Sequence, residues 1–163
     1  MIKKLIHAMI VFTMIFSHGF THASLSDISS KVSKEFQNQL MCLARNIYFE
    51  AAMESFEGKL AVAQVTMNRT RHPNFPNTVC DVVYQKINGI HQFSWVGEGV
   101  KKIVNSRAWE DSLLIARKAL TEHKVHDTLY RTKAMYFHNT TVNPEWNLKY
   151  VVQIGNHLFY ARH

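Results

Sequence analysis

Apolar residues recur at helical spacing from Gln39 to about Ala52, where Leu40, Leu43, Ile47 and Ala51 share one face. After a break around Ser55 to Gly58, Leu60, Ala61, Val62, Ala63, Val65 and Met67 are small and apolar nearly all round, which predicts a buried second helix. His72-Pro73-Asn74-Phe75-Pro76 reads as a loop, and Asn77 or Thr78 can cap a short helix bearing Val79, Val82 and Val83. Ile87 to Val100 holds three glycines and the string His91-Gln92-Phe93-Ser94-Trp95, the pattern of an irregular surface segment or a short hairpin. A longer helix follows from about Ser106 to His123, with Trp109, Leu113, Ala116 and Leu120 in register. The last quarter alternates instead. Met135 and Phe137 oppose Tyr136 and His138, and Gly155-Asn156 between Val151–Ile154 and His157–Tyr160 is a two-residue hairpin signal. The expected fold is α+β and mainly helical, with a small C-terminal antiparallel sheet.

One position breaks the first helix's pattern. Glu50 falls on the same face as Leu43 and Ile47, and Glu54 joins them if the helix continues. A carboxyl placed toward a core is disfavoured as a carboxylate, so its pKa rises, which is what a general acid needs near neutral pH. The competing reading is a structural acid satisfied at a helix end.

Residues 1 to 23 have the build of a secretory signal: Lys3 and Lys4, an apolar run from Leu5 to Phe16, and the small-residue exit Thr21-His22-Ala23. Residues 24 to 38 read as a polar leader or short amphipathic helix, and residues 39 to 163 as a single domain with one site. The apolar run is short for a bilayer span, and no later stretch has the length and apolarity for one. Losing Lys3 and Lys4 and no acid lowers the formal charge from +7 to +5. This moderate excess fits a solvated surface with some attraction to an anionic envelope. Nucleic acid is disfavoured, because the cations are scattered and no recognised binding motif is present. Cys42 and Cys80 are the two cysteines, and in an oxidising compartment the expectation is one disulfide, the alternative being two buried thiols.

The ordered strings Cys42-Leu43-Ala44, Tyr48-Phe49-Glu50-Ala51-Ala52-Met53-Glu54, Gly58-Lys59-Leu60-Ala61-Val62-Ala63, Asn68-Arg69, Phe75-Pro76, Val79 to Gln85, Gln92-Phe93-Ser94-Trp95 and Ile154 to Tyr160 together resemble the SleB/CwlJ-type cell wall hydrolases. That resemblance implies a lysozyme-like or lytic transglycosylase-like domain over residues 39 to 163, acting on the glycan of peptidoglycan. It also implies that Glu50 is the catalytic acid and that no cofactor or metal takes part. The family writes its Glu-Ala-x-x-Glu string with Arg-Gly where this chain has Ala52-Met53. Some relatives also carry two further cysteines where this chain has His91 and Gly97, and their joint loss favours Cys42 pairing with Cys80.

Glycan cleavage needs a protonated carboxyl at the leaving oxygen, and a hydrolase usually adds a second carboxylate. On an unbroken helix Glu54 would sit beside Glu50 and raise its pKa, yet two acids on one side cannot easily flank a bond. A lytic transglycosylase, in which one Glu is acid and then base, removes the difficulty, and a water-using muramidase is the alternative. For Glu54 the structural role leads: accepting from a loop amide or pairing with Arg69. Gln92, Phe93, Ser94, Trp95, Tyr136 and His138 are candidate sugar contacts, with Trp146 and Tyr160 further aromatic options, against a background in which aromatic residues are more often core. His123 and His126 lack metal-ligand spacing, so a metal-dependent wall amidase ranks lower, as does a non-catalytic wall-binding module. The substrate expectation is an exported protein, periplasmic or extracellular, reaching the wall by its groove, its basic surface or an accessory wall protein.

Overall fold

The computed structural model describes residues 25–99 and 101–163, so the secretory signal expected at residues 1 to 23 lies outside the described residues. Among the described residues five α-helices run in chain order as α1 (Leu25–Ala51), α2 (Phe56–Thr70), α3 (Val79–Val83), α4 (Ser106–Glu122) and α5 (Asp127–Arg131). The polar stretch before Gln39 is continuous with α1. Its residues are largely exposed, which is why the hydrophobic pattern marked only the packed half of the helix. Among the described residues no helix is long and apolar enough to cross a membrane.

Helix α2 is central, and its composition explains why. Ala63 and Met67 face one cluster with Leu43, Ile47, Val82, Val83, Phe93, Trp95 and Ile115, while Ala61 and Val65 face another with Leu129, Ala134, Ile154 and Phe159. Small side chains on both sides let α1, α3, α4, α5 and the sheet approach closely, and each fully buried Val, Leu, Ile or Phe contributes roughly 1.5 to 3 kcal/mol. Ser55 caps α2 by accepting from Gly58 N, and Thr78 caps α3 by accepting from Asp81 N.

The polar face of α2 is spent on backbone. Gln64 Oε1 accepts from Val125 N at 2.7 Å and His126 N at 3.1 Å, and Asn68 Nδ2 donates to Leu129 O and Ala134 O at 2.8 Å each. These bonds hold the loops on either side of α5. A disulfide joins Cys42 of α1 to Cys80 of α3, closing a 38-residue separation as expected.

Two antiparallel sheets complete the fold. Strands β1 (Lys86–Ile87) and β2 (Ile90–His91) form a minimal hairpin whose Asn88 and Gly89 both have positive φ, 51° and 81°, as a type I′ turn requires. Strands β3 (Tyr136–Asn139), β4 (Lys149–Ile154) and β5 (His157–Ala161) make a sheet in the order β3-β5-β4. Gly155 and Asn156 connect β4 to β5, with Gly155 at φ 55° in the first turn position.

Candidate functional site

Helix α1 stops at Ala51, so the unbroken helix that would have set Glu54 beside Glu50 does not exist. Ala52 and Met53 turn the chain without positive φ, and Met53 is 89 % exposed, so the turn does not need a glycine at this position. Past the helix end, Glu54 Oε2 accepts from Asn156 N at 3.2 Å and Oε1 from Asn156 Nδ2 at 3.0 Å. Of its two expected structural roles, Glu54 takes the loop amide and not Arg69. The carboxylate lies against two glycines: a Cβ on Gly155 would fall 1.9 Å from Oε2, and one on Gly58 would fall 2.8 Å from Glu54 Cβ. Glu54 is therefore a clasp between the end of α1 and the β4–β5 turn.

Glu50 is treated differently by its surroundings. It keeps some contact with solvent, yet protein fills most of the space around the carboxyl, and its pKa is raised from 4.5 to about 7. Burial is the first cause; the positive charges of Arg69 and Lys101 oppose it, and the negative charge of Glu98 adds to it. Glu54 is not among these causes.

Arg69, from α2, is 5 % exposed. Its Nε donates to Met135 O at 2.8 Å, and its guanidinium carbon lies 5.0 Å from the Phe93 ring centroid, 5.3 Å from Phe75 and 5.9 Å from Tyr136. Burial pulls its pKa down to about 10, opposed by Tyr136 and Glu50, so it stays charged at neutral pH. Its Nη1 is buried without a hydrogen-bond partner among the described residues. The segment carrying Lys101 is anchored from the same turn as the acid. Tyr48 Oη accepts from Val104 N and Asn105 N at 3.0 Å each. Glu98, at the end of the 3-10 turn Ser94–Glu98, pairs with Lys101.

The candidate sugar contacts divide. Phe93 and Trp95 are 2 % and 4 % exposed, and the Trp95 Nε1 donates to Asn46 Oδ1 at 3.0 Å, so both are core residues with no face left for a sugar. That corrects the sequence expectation, and the cause is that the alternation of this string buries every second side chain. Ser94 points outward, and Gln92 is half-buried. Gln92 and Tyr136 line a cleft of about 610 Å³ together with Glu145, Trp146, Asn147, Leu148, Arg162 and His163. His138 is stacked on Tyr160 at 5.2 Å, with its Nε2 3.0 Å from the Tyr160 hydroxyl, and Trp146 packs edge-on to both rings.

Glu50 does not line that cleft itself. Tyr136 is the link, since its ring stands in the cleft wall and in the cage of Arg69, whose charge acts on Glu50. The sequence marks Glu98 as no more than a surface or capping acid, and nothing in the spacing of Glu98 and Lys101 shows that the 3-10 turn folds back over α1. His91 and Gly97 adjoin: a Cβ on Gly97 would lie 3.3 Å from His91 Cδ2. His126 is half-buried, its Nε2 3.6 Å from a Glu57 carboxylate oxygen. Among the described residues no three His, Cys, Asp or Glu side chains gather as a metal-ligand set.

Comparison with known proteins agrees with this architecture. Residues 53–160 match the family model described as Cell Wall Hydrolase. The chain is 28% identical over 125 residues to a spore cortex-lytic enzyme of Bacillus subtilis (strain 168), and 29% identical over 126 residues to that of Oceanobacillus iheyensis. The alignments cover 75% and 76% of this chain but only 37% and 41% of those relatives. Among solved structures, the catalytic domain of the Bacillus cereus SleB protein matches with a TM-score of 0.58 at 26% identity, over 77% of this chain and 91% of that one. The catalytic domain of the germination-specific lytic transglycosylase SleB from Bacillus anthracis matches with a TM-score of 0.60 at 26% identity, over 77% and 95%. The helical domain with its small antiparallel sheet is thus the lysozyme-like fold of those catalytic domains, and the chain belongs to the cell wall hydrolase family.

Proposed function

We propose that this protein cuts the glycan strand of peptidoglycan between N-acetylmuramic acid and N-acetylglucosamine, as a lytic transglycosylase with Glu50 as acid and then base. The observation that carries the reading is the isolation of Glu50: a carboxyl with a pKa of about 7, while the neighbouring acid Glu54 is consumed by Asn156. About half of such a group is protonated at neutral pH, so it can donate to the glycosidic oxygen as the bond to muramic C1 breaks. The resulting carboxylate then takes the proton of the muramic 6-hydroxyl as that oxygen bonds to C1, closing a 1,6-anhydro ring. No water is consumed. Arg69, caged by three rings, stabilises the transient Glu50 carboxylate without forming a fixed ion pair that would hold it deprotonated. The name of the Bacillus anthracis neighbour supports the same mechanism.

Hydrolysis by water is the second reading, and Glu98 is the observation that favours it. Its charge already acts on Glu50, so it is the candidate second carboxylate that a muramidase would use. Mass spectrometry of fragments released from purified peptidoglycan separates the two. Ends in 1,6-anhydromuramic acid, lost in Glu50→Gln and kept in Glu98→Gln, support the transglycosylase. Reducing muramic ends, lost in both variants, support the muramidase. Freed stem peptides whose release stops with a chelator would make it a metal-dependent amidase instead. A substrate of this kind places the working protein outside the cytoplasm, in the periplasm or beyond it.

A further inference from the structure

The cleft beside Tyr136 carries two charges that sugar rings do not need. Arg162 and Glu145 both line it, yet Glu145 has no cation within 4 Å among the described residues. Opposite charges in one cleft that do not neutralise each other leave space for a ligand bearing both signs. Arg162 is also held in place: its Nε donates to Tyr136 Oη at 3.0 Å, and its guanidinium carbon lies 6.0 Å from the Tyr136 ring centroid. Neither Nη group has a hydrogen-bond partner among the described residues, and a guanidinium fixed through Nε presents them as a fork matched to a carboxylate. Trp146, 42 % exposed and 6.1 Å from the Tyr136 ring, gives the cleft an apolar face between the charged groups.

We propose that this cleft is a subsite for the peptide borne by muramic acid, with Arg162 taking a carboxylate of that peptide and Glu145 its free ammonium group; the proposal rests on the glycan-cleaving reading above. The muramic residue next to the scissile bond carries its peptide through the lactyl ether. Tyr136 is shared between this cleft and the cage of Arg69, whose charge acts on Glu50, so the cleft adjoins the cage that serves the acid. An uncrosslinked peptide containing a diamino acid brings both signs of charge. A glycan without peptide brings no ammonium group and only the lactyl carboxylate at the sugar itself, and would leave Glu145 idle. The protein is thereby selective for peptide-bearing strands.

The test is calorimetric binding to the full chain carrying Glu50→Gln, which blocks turnover. The probes are the N-acetylglucosaminyl-N-acetylmuramyl tetrapeptide with a free diaminopimelate amine, the same compound N-acetylated on that amine, and the peptide-free disaccharide with its lactyl carboxyl capped as a methylamide. Adding Arg162→Gln or Glu145→Gln is expected to weaken the tetrapeptide compound about tenfold each, as loss of one hydrogen bond to a charged group should. Affinity for the peptide-free disaccharide should not move. Acetylating the amine should cost the protein with Glu145 as much as the Glu145→Gln change does, and cost the Glu145→Gln protein nothing. Equal affinity for peptide-bearing and peptide-free probes, or variants that weaken both alike, would overturn the subsite. Failure of the underlying reading looks different: charge-dependent binding of the tetrapeptide with no glycan cleavage by the protein that retains Glu50 removes the enzymatic assignment and leaves the subsite standing.

Discussion

Glu50 and Glu54 are four residues apart in the chain and opposite in circumstance. Glu54 receives two hydrogen bonds from Asn156 and rests on the bare backbones of Gly58 and Gly155, so both of its carboxyl oxygens are taken up by the β4–β5 turn. Glu50 has protein packed about it and only the through-space charges of Arg69 and Lys101 in its favour, so the neutral form gains. One acid is built in as a fastener and the other is left poised. The one-turn offset created by ending α1 at Ala51 is what separates them.

The largest effect should come from Glu50→Gln, which is expected to cost about a thousandfold or more in glycan cleavage. It should also stabilise the fold at neutral pH. Because the folded pKa lies above the unfolded one, the folded state binds more protons between pH 4.5 and about 7, and stability falls as pH rises through that window. Removing the group should recover up to about 3 kcal/mol at pH 8 and nothing at pH 4, measurable as paired urea melts at the two pH values. A variant that loses activity without this pH-dependent gain would mean that Glu50 is not the buried neutral acid described.

Next in size is Gly155→Ala. Its Cβ would collide with Glu54 Oε2 at a left-handed backbone position, and a loss of about 2 to 3 kcal/mol is expected. Combining it with Glu54→Ala should cost less than the two single changes summed, because the collision disappears. Strict additivity would show that the clasp is not formed. Glu54→Gln keeps one acceptor and should cost about 1 kcal/mol of stability, with turnover reduced only a few-fold. A loss as deep as that of Glu50→Gln would give Glu54 a chemical role and erase the contrast. The smallest change is expected from Glu98→Gln, which removes a charge that raises the Glu50 pKa and should move the alkaline limb of the pH–rate profile downward. An upward shift would put Glu98 somewhere other than beside the acid.

Much of this was legible in the chain. The all-round apolar pattern of Leu60 to Met67 foretold the central helix, Gly155-Asn156 foretold the hairpin, and the two cysteines foretold their bridge. Glu50 stood out because an acid interrupts an apolar stripe. What was hidden depended on three-dimensional return of the chain. Residues 26 to 38 are largely exposed, so the sequence left a helix there as one of two options beside a polar leader, and α5 is too short for a period to show. Phe93 and Trp95 looked like sugar platforms because polar neighbours surround them in sequence, although in space they close the core over Leu43 and Ile47. The charge pattern around Glu50 draws on α2 and on the segment after the 3-10 turn, and no local spacing encodes that meeting.

The ring-lined burial of Arg69 has a consequence for salt. Mobile ions screen exposed charges over about 8 Å at physiological ionic strength but barely reach a guanidinium enclosed by Phe75, Phe93 and Tyr136. Lys101 and Glu98 keep solvent-exposed side chains and are screened. They act on Glu50 with opposite sign, so brine silences both while the buried guanidinium keeps its hold. The acid should therefore titrate at nearly the same pH in dilute buffer and in seawater, a proton switch whose setting travels with the protein and not with its medium.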